Sequence, residues 1–178
     1  EIYNSLCSAL PSHDFKIINN KSDFDESIID EFNPDIILWY GWSWIVPDRI
    51  LDKYTSLCLH PSPLPKYRGG SPIQNQIING EKISAVTIFK MGKGLDDGDI
   101  ISQSIFSLEG DIKDIFKRMT DLGFSSTFDI ITKGYLLREQ DHKQATNCIR
   151  RKPVDSEITI NEIKNNTAEY LHNKIRML

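Results

Sequence analysis

The sequence contains no feature that would insert the chain into a membrane or export it. No run of about 18 uncharged apolar residues, the length a membrane-spanning helix needs, occurs among its 178 residues. The first residues show no pattern of a secretory signal peptide. Because Glu1 stands where a complete chain would carry methionine, we expect the sequence to begin inside a longer protein. We predict no membrane span and a cytoplasmic location.

The sequence also has few cysteines and no excess of positive charge. The cysteines, Cys7, Cys58 and Cys148, are odd in number and far apart, which indicates reduced thiols and neither a disulfide framework nor paired metal ligands. The formal net charge is −4 and the pI about 5.6. A strongly basic surface is what draws a protein to nucleic acid, so the composition argues against a nucleic-acid partner.

Continuous apolar runs alternate with helical patterns in the first half of the sequence. The runs at residues 35–40 and 56–60 lack polar alternation, which is typical of strands covered on both faces of a parallel sheet. A helical pattern at 23–32 precedes the first run, another at 47–51 separates the two, and a short strand is expected at 15–18. This order predicts an α/β fold with a Rossmann-like, doubly wound and mostly parallel sheet.

The second half predicts further helices and strands and a division of the chain. Ser71 as N-cap and Pro72 at the first helical position begin a helix. The later elements are strands at 85–89 and 99–106, a long helix capped by Asp111 and reaching about Arg138, and a last helix over 160–177. We predict a core of residues 1–138 whose first strand precedes Glu1. A helical C-terminal extension, residues 139–178, is expected to continue past Leu178 and is a candidate homodimer surface.

A histidine stands in a rigid loop. His60 ends the predicted strand at 56–60, and ligands of open α/β sheets bind beyond the carboxyl ends of their strands. The loop fixes its backbone with prolines and leaves room for close approach at two glycines. Its notable residues are Pro61, Ser62, Pro63, Pro65, Tyr67, Arg68, Gly69, Gly70, Ser71 and Pro72. The alternative is a proline-rich surface turn with a solvated histidine.

Acidic residues cluster in the loop between the predicted strands at 85–89 and 99–106. Asp96, Asp97 and Asp99 stand among glycines, and oxygen ligands of this kind bind Ca²⁺ or Mg²⁺. Their spacing does not match the helical-loop calcium pattern. A solvated hairpin loop is a second interpretation. In a third, one aspartate orients His60 and stabilises its charged form.

Three tryptophans, Trp39, Trp42 and Trp44, stand within six positions. Aromatic side chains most often pack in the core. The alternative is a wall against which a planar heterocycle binds.

Taken together, these motifs resemble the formyltetrahydrofolate-dependent formyltransferases. The run His60-Pro61-Ser62-x-Leu64-Pro65-x-Tyr67-Arg68-Gly69 is similar to the family's signature, and Leu95-Asp96-Asp97-Gly98 stands where the family has its aspartate loop. The forms Gly41-Trp-Ser-Trp44 and Tyr67-Arg-Gly-Gly-Ser-Pro-Ile-Gln74 look most like the nucleotide-linked sugar N-formyltransferases. The match is good over residues 35–103 and looser elsewhere.

The resemblance implies a reaction and a role for each motif residue. A formyl group would pass from N10-formyltetrahydrofolate to the amino group of a nucleotide-linked amino sugar, for example a dTDP-4-amino-4,6-dideoxyhexose. Such reactions serve cell-surface polysaccharides such as lipopolysaccharide O-antigen. His60 and Asp96 would be catalytic, without a metal ion. The folate would contact Trp44, Ile45, Val46, Leu95 and Asp97, and the sugar nucleotide would contact Tyr67, Arg68, Gly69, Gly70, Ser71 and Gln74.

One position departs from the family pattern. The family has an asparagine two residues before the histidine, and here Cys58 stands there. A thiol is a much weaker donor to an oxyanion than an amide N–H. Either another donor acts, such as His60, Gln74 or Asn75, or the chain is slow or inactive.

Three further interpretations remain open from the sequence. One is a methionyl-tRNA formyltransferase-like enzyme, and another is a thiol hydrolase that uses Cys58 and His60. The third is a degenerate module that binds sugar nucleotides without turnover. The particular sugar and nucleotide are not fixed by the sequence.

Overall fold

The computed structural model describes residues 1–178 as a sheet flanked by helices. Its six strands are β1 (Ile36–Trp39), β2 (Thr55–His60), β3 (Arg68–Gly69), β4 (Ile83–Lys90), β5 (Ile100–Ser107) and β6 (Asn147–Cys148). Its seven α-helices are α1 (Ile2–Ala9), α2 (Glu26–Phe32), α3 (Asp48–Lys53), α4 (Pro72–Ile78), α5 (Ile112–Lys133), α6 (Ile160–Asn165) and α7 (Ala168–Arg176). None of these helices has both the length and the apolarity to cross a membrane.

The main sheet is mixed, with strand order β1-β2-β4-β5. β1 and β2 are parallel, whereas β4 is antiparallel to both β2 and β5. The predicted α/β class is confirmed, but the parallel part of the sheet is smaller than the sequence predicts. A short loop joins β4 directly to β5, and a connection of that length can join only antiparallel neighbours.

A second, two-stranded sheet ties the C-terminal segment to the histidine loop. β3 and β6 are parallel, with Arg68 opposite Asn147 and Gly69 opposite Cys148. The backbone N–H groups of Arg68 and Gly70 donate to the carbonyls of Thr146 and Cys148. Residues beyond 138 therefore form part of the structure around the loop.

The largest hydrophobic cluster also includes the chain's last residues. Met177, 1% exposed, packs with side chains from α4, β4, β5 and α5: Ile73, Ile77, Val86, Phe106, Leu108 and Ile115. α7 lies against α4. The predicted division between residues 1–138 and 139–178 is therefore not a division of the hydrophobic core.

Several element boundaries differ from the sequence prediction. The predicted strand at 15–18 is irregular, because no neighbouring strand pairs with it. The predicted helix at 160–177 is two helices, since Thr167 begins α7 by accepting a hydrogen bond from Tyr170 N. Asp111 caps α5 as predicted, by accepting from Lys113 N and Asp114 N.

Candidate active site

His60 lies at the end of β2 with its ring 6% exposed. Its Nε2 is 2.7 Å from the carbonyl oxygen of Tyr67, and its Nδ1 is 3.5 Å from Asp96 Oδ2. A carbonyl oxygen only accepts hydrogen bonds, so Nε2 carries a proton and donates it. In the neutral ring Nδ1 then carries no proton, and its lone pair faces the carboxylate of Asp96.

Asp96 is held at its backbone and at its carboxylate. It has a φ of 48°, a left-handed conformation that a side chain disfavours and that persists only where the surroundings impose it. Its Oδ2 accepts a hydrogen bond of 2.8 Å from Gly69 N. The structure thus brings together the histidine loop and the aspartate loop, which lie far apart in the sequence.

This arrangement suits the transfer of a proton. Nδ1 of the neutral ring has a lone pair that can accept a proton from a reacting group. The 3.5 Å separation is longer than a hydrogen bond, so Nδ1 and Oδ2 are both available to a reacting group beside them. A doubly protonated His60 would in turn stabilise an oxyanion.

Hydrogen bonds from neighbouring strands hold the histidine loop against β4. Thr87 Oγ1 donates to Ser62 O at 2.6 Å, and Ser62 Oγ donates to Lys66 O at 2.7 Å. Gln103 Nε2 donates both to Leu64 O and to Thr87 Oγ1. The sequence analysis missed Thr87 and Gln103. Other polar residues also occur in both strands, so no signal in the sequence singled out these two.

Gln140 connects the two loops and was also missed. Its Nε2 donates to Asp96 O at 3.0 Å and to Gly98 O at 2.7 Å, and its Oε1 accepts from Arg68 Nη2 at 2.6 Å. Gln140 is 3% exposed. Because Gly69 follows Arg68 and binds the Asp96 carboxylate, these contacts close a ring that fixes Asp96 from two sides. No pattern around residue 140 indicated this role.

Arg68, which the resemblance implies as a contact of the sugar nucleotide, is buried among protein side chains. The whole residue is 8% exposed, and the guanidinium Nη2 contacts Gln140 Oε1 and His142 Nδ1. Its buried Nε has no hydrogen-bond partner. The guanidinium therefore supports the aspartate loop and is not presented to a bound substrate.

The other predicted substrate residues lie along the strand and turn that follow the histidine loop. Tyr67 OH donates to Glu81, so its ring points away from His60. Ser71 precedes α4 but makes no N-cap hydrogen bond with its side chain. Its Oγ accepts instead from Arg151 N. Gly69 and Gly70 lie against the backbone of residues 148–150, where a Cβ at either glycine would come within 2.5 Å of another atom. Gln74 is partly exposed on α4.

Cys58 lies partly buried on β2, two residues before His60 and on the same face of the strand. Burial, and to a smaller extent the negative charge of Asp96, raise the pKa of its thiol. A thiol that resists ionisation is a poor nucleophile, which argues against the thiol hydrolase. Of the alternative oxyanion donors, Asn75 is already engaged, since its Nδ2 donates to Gly70 O, Ser71 O and Ile149 O.

The predicted folate residues divide into exposed and buried side chains. Trp44, Ile45 and Leu95 are exposed, Ile45 to 95%. Val46 is 4% exposed and packs with Trp39 in the core, so its side chain offers little surface to a bound folate. The remaining predicted residue, Asp97, folds its carboxylate back over the glycines of its own loop.

The tryptophans form a connected cluster that is buried at one end and exposed at the other. Trp42 contacts Trp39 and Trp44 edge to face, at centroid separations of 5.4 and 4.9 Å. The indole Nε1 atoms of Trp39 and Trp42 are buried without a partner. Trp39 is a core residue, whereas Trp44 is 47% exposed, with Lys21 Nζ 5.4 Å from its ring centroid. The chain has no group of three or more His, Cys, Asp or Glu side chains that could hold a metal ion.

The ring through Gln140 yields a test of how the aspartate loop is held. Gln140→Glu keeps the acceptor for Arg68 but removes both N–H donors, leaving the buried carbonyls of Asp96 and Gly98 unpaired. We expect urea unfolding to show a loss of about 1–3 kcal/mol. The exposed control Gln144→Glu should change the free energy of unfolding by less than about 0.5 kcal/mol. Equal stability of Gln140→Glu and the unsubstituted chain would contradict this role.

Comparison with known proteins agrees with the geometry. Residues 10–124 match the family described as formyl transferase. A methionyl-tRNA formyltransferase of Borrelia hermsii is 36% identical over 149 residues, which cover 78% of this chain and 48% of that protein. The chain thus spans about half the length of this curated relative.

Two solved structures extend the comparison. Methionyl-tRNA formyltransferase from Clostridium thermocellum superimposes with a TM-score of 0.89 and 32% identity, over 99% of this chain and 77% of that one. The N-formyltransferase from Helicobacter canadensis, solved with folinic acid and dTDP-3-aminofucose, gives a TM-score of 0.58 and 27% identity over 71% of this chain and 49% of that one. Because the family match covers more than half of the residues, this chain belongs to the formyl transferase family.

Proposed function

We propose that the protein transfers a formyl group from N10-formyltetrahydrofolate to the amino group of a nucleotide-linked amino sugar. The observation that carries this proposal is the His60–Asp96 pair, with Nδ1 and Oδ2 3.5 Å apart and both partly free. Membership of the formyl transferase family supports the donor. Three free thiols agree with a reducing, cytoplasmic setting.

The reaction needs one bond formed, one bond broken and one proton moved. The neutral amine attacks the formyl carbon, and the carbonyl electron pair moves to oxygen in a tetrahedral intermediate. The intermediate collapses when the bond from carbon to the folate N10 breaks. A proton lost by the amine ends on N10, so the products are a formamide and tetrahydrofolate.

His60 and Asp96 supply the proton transfer and the stabilisation of charge. His60 Nδ1 or Asp96 Oδ2 accepts the amine proton, and the protonated ring then donates towards the oxyanion or N10. The Nε2 bond to Tyr67 O fixes the ring while Nδ1 acts. Binding both substrates with the amine and the formyl carbon between His60 and Asp96 also lowers the entropic cost of bringing the two atoms together.

The exposed apolar side chains of Trp44, Ile45 and Leu95 provide the surface against which the pterin binds. Leu95 Cδ2 lies 3.6 Å from the position that a Cβ on Gly69 would take, so Leu95 is next to the glycine whose N–H binds Asp96. Met91 packs against both the tryptophan cluster and the cluster that includes Cys58. Met91 thereby links the packing around Trp39 and Trp42 to the packing around Cys58, two residues before His60.

Two observations favour a sugar nucleotide as acceptor. The segments Gly41–Trp44 and Tyr67–Gln74 resemble the sugar N-formyltransferases, and the neighbouring Helicobacter canadensis structure holds a dTDP-linked amino sugar. Methionyl-tRNA is the second candidate, because the Borrelia hermsii and Clostridium thermocellum relatives are methionyl-tRNA formyltransferases.

The catalytic pair is tested by replacing each member with asparagine. We expect His60→Asn and Asp96→Asn each to lower kcat for formyl transfer by about 10²-fold or more, since each removes a proton-transferring group. The matched controls are His172→Asn, exposed on α7, and Asp99→Asn, at the end of the aspartate loop. These should retain near-normal rates.

The acceptor is identified in the same assay with two substrates. A dTDP-4-amino-4,6-dideoxyhexose and initiator methionyl-tRNA are each supplied with the formyl donor. Formylation of the sugar alone supports the proposal, and formylation of the tRNA alone replaces it with the second candidate. Near-normal rates in both catalytic variants would remove the mechanism for either acceptor.

Cys58 provides a separate prediction about the oxyanion. We expect Cys58→Asn to raise kcat by about 10-fold or more, because an amide N–H replaces a weak thiol donor, and such donors are worth about 10²–10³ in other enzymes. Cys58→Ala, which has no donor, should leave kcat close to that of the unsubstituted chain. An unchanged rate in Cys58→Asn, with its fold intact by circular dichroism, would show that another group already stabilises the oxyanion.

A further inference from the structure

Three consecutive cations lie beside the glycines of the candidate site. Arg150, Arg151 and Lys152 follow β6, and none of them forms an ion pair with a carboxylate. Arg150 and Lys152 are exposed. In a chain with a net charge of −4, such a group of unpaired cations is a local exception.

The backbone of this segment is fixed although it is not in a helix or strand. Arg151 N donates to Ser71 Oγ at 3.1 Å, and Asn75 Nδ2 donates to Ile149 O at 3.1 Å. Gly70 lies so close that a Cβ there would be 2.5 Å from Arg150 Cβ and 2.6 Å from its Cα. Arg150 therefore has a fixed Cα and a free, solvent-facing guanidinium.

The position of Arg150 relates it to the reactive pair. Gly69 N binds Asp96 Oδ2, and Gly70, which packs against Arg150, is the next residue, with Cα atoms about 3.8 Å apart. In a nucleotide-linked amino sugar, one sugar ring carries both the amine and the diphosphate. An amine placed between His60 and Asp96 therefore brings the diphosphate to the neighbourhood of Gly70.

We propose that Arg150, with Arg151 and Lys152 beside it, binds a phosphate group of the acceptor's nucleoside diphosphate. The inference rests on the proposed function for the identity of the acceptor. A guanidinium offers paired N–H donors that match phosphate oxygens, and Lys152 adds a second positive charge. Arg68 cannot bind this phosphate while its Nη2 is bound to Gln140, so Arg150 takes the role in its place.

The test measures binding of a nucleoside diphosphate by itself. Titration calorimetry with thymidine diphosphate should give a Kd about 10-fold weaker for Arg150→Gln than for the unsubstituted chain, as the loss of one charged hydrogen bond implies. Arg150→Lys should lie between the two. Lys113→Gln removes one exposed, unpaired cation from α5 and should bind as tightly as the unsubstituted chain.

Steady-state kinetics give the second measurement. In Arg150→Gln, the KM for the nucleotide sugar should rise about 10-fold, whereas kcat and the KM for the formyl donor stay within about twofold. Equal affinity of the unsubstituted chain and Arg150→Gln for thymidine diphosphate would overturn the proposal, as would no binding by either. If Arg150→Gln raised the KM for methionyl-tRNA only, the proposed diphosphate site would be overturned, and Arg150 would be assigned to a phosphate of the tRNA.

The two proposals can fail separately. If Arg150 is needed to bind thymidine diphosphate but no formyl transfer occurs, the phosphate site stands and the proposed reaction fails. If formyl transfer to the sugar occurs with an unchanged KM in Arg150→Gln, the reaction stands and the phosphate site fails.

Discussion

The site depends on the placement of the His60 imidazole between the carbonyl of Tyr67 and the carboxylate of Asp96. The carbonyl fixes which ring nitrogen carries the proton, and the carboxylate faces the other nitrogen at 3.5 Å. This position requires β2 to end at His60, and it requires the hairpin between β4 and β5 to bring Asp96 back over the end of β2. The antiparallel register puts Leu57 opposite Lys90 and His60 opposite Thr87, so the hairpin loop starts beside the beginning of β2. The loop itself therefore runs back to bring Asp96 to His60.

The C-terminal segment completes this geometry. Gln140 donates to both ends of the tight turn at Asp96, and β6 pairs with the residues that bind the carboxylate. An unusual backbone conformation at Asp96 is thus imposed by contacts from three separate parts of the chain. Met177 anchors the same segment in the main core. The residues after 138 therefore contribute both to the site, through Gln140, and to the main core, through Met177.

Much of this could be predicted from the sequence, because motifs and apolar runs report local requirements. The strand ending at His60, the cap at Asp111 and the loop holding Asp96 are where the sequence places them. Pairing is a property of distant segments, so the antiparallel return of β4 and the lack of a strand at 15–18 were not visible. The burial of Arg68 was not visible for the same reason. Its buried partner, Gln140, is an ordinary polar residue in an irregular segment and carries no pattern.

The central claim is that formyl donor and amine meet at the gap between His60 and Asp96. The most direct measurement is a crystal structure of the protein with 5-formyltetrahydrofolate and a nucleotide-linked amino sugar. The account predicts the formyl group and the amine both ordered beside His60 Nδ1 and Asp96 Oδ2, with the pterin against Trp44. Ligands ordered instead in the groove between α5 and β5, lined by Ile101, Leu122 and Tyr135, would contradict it.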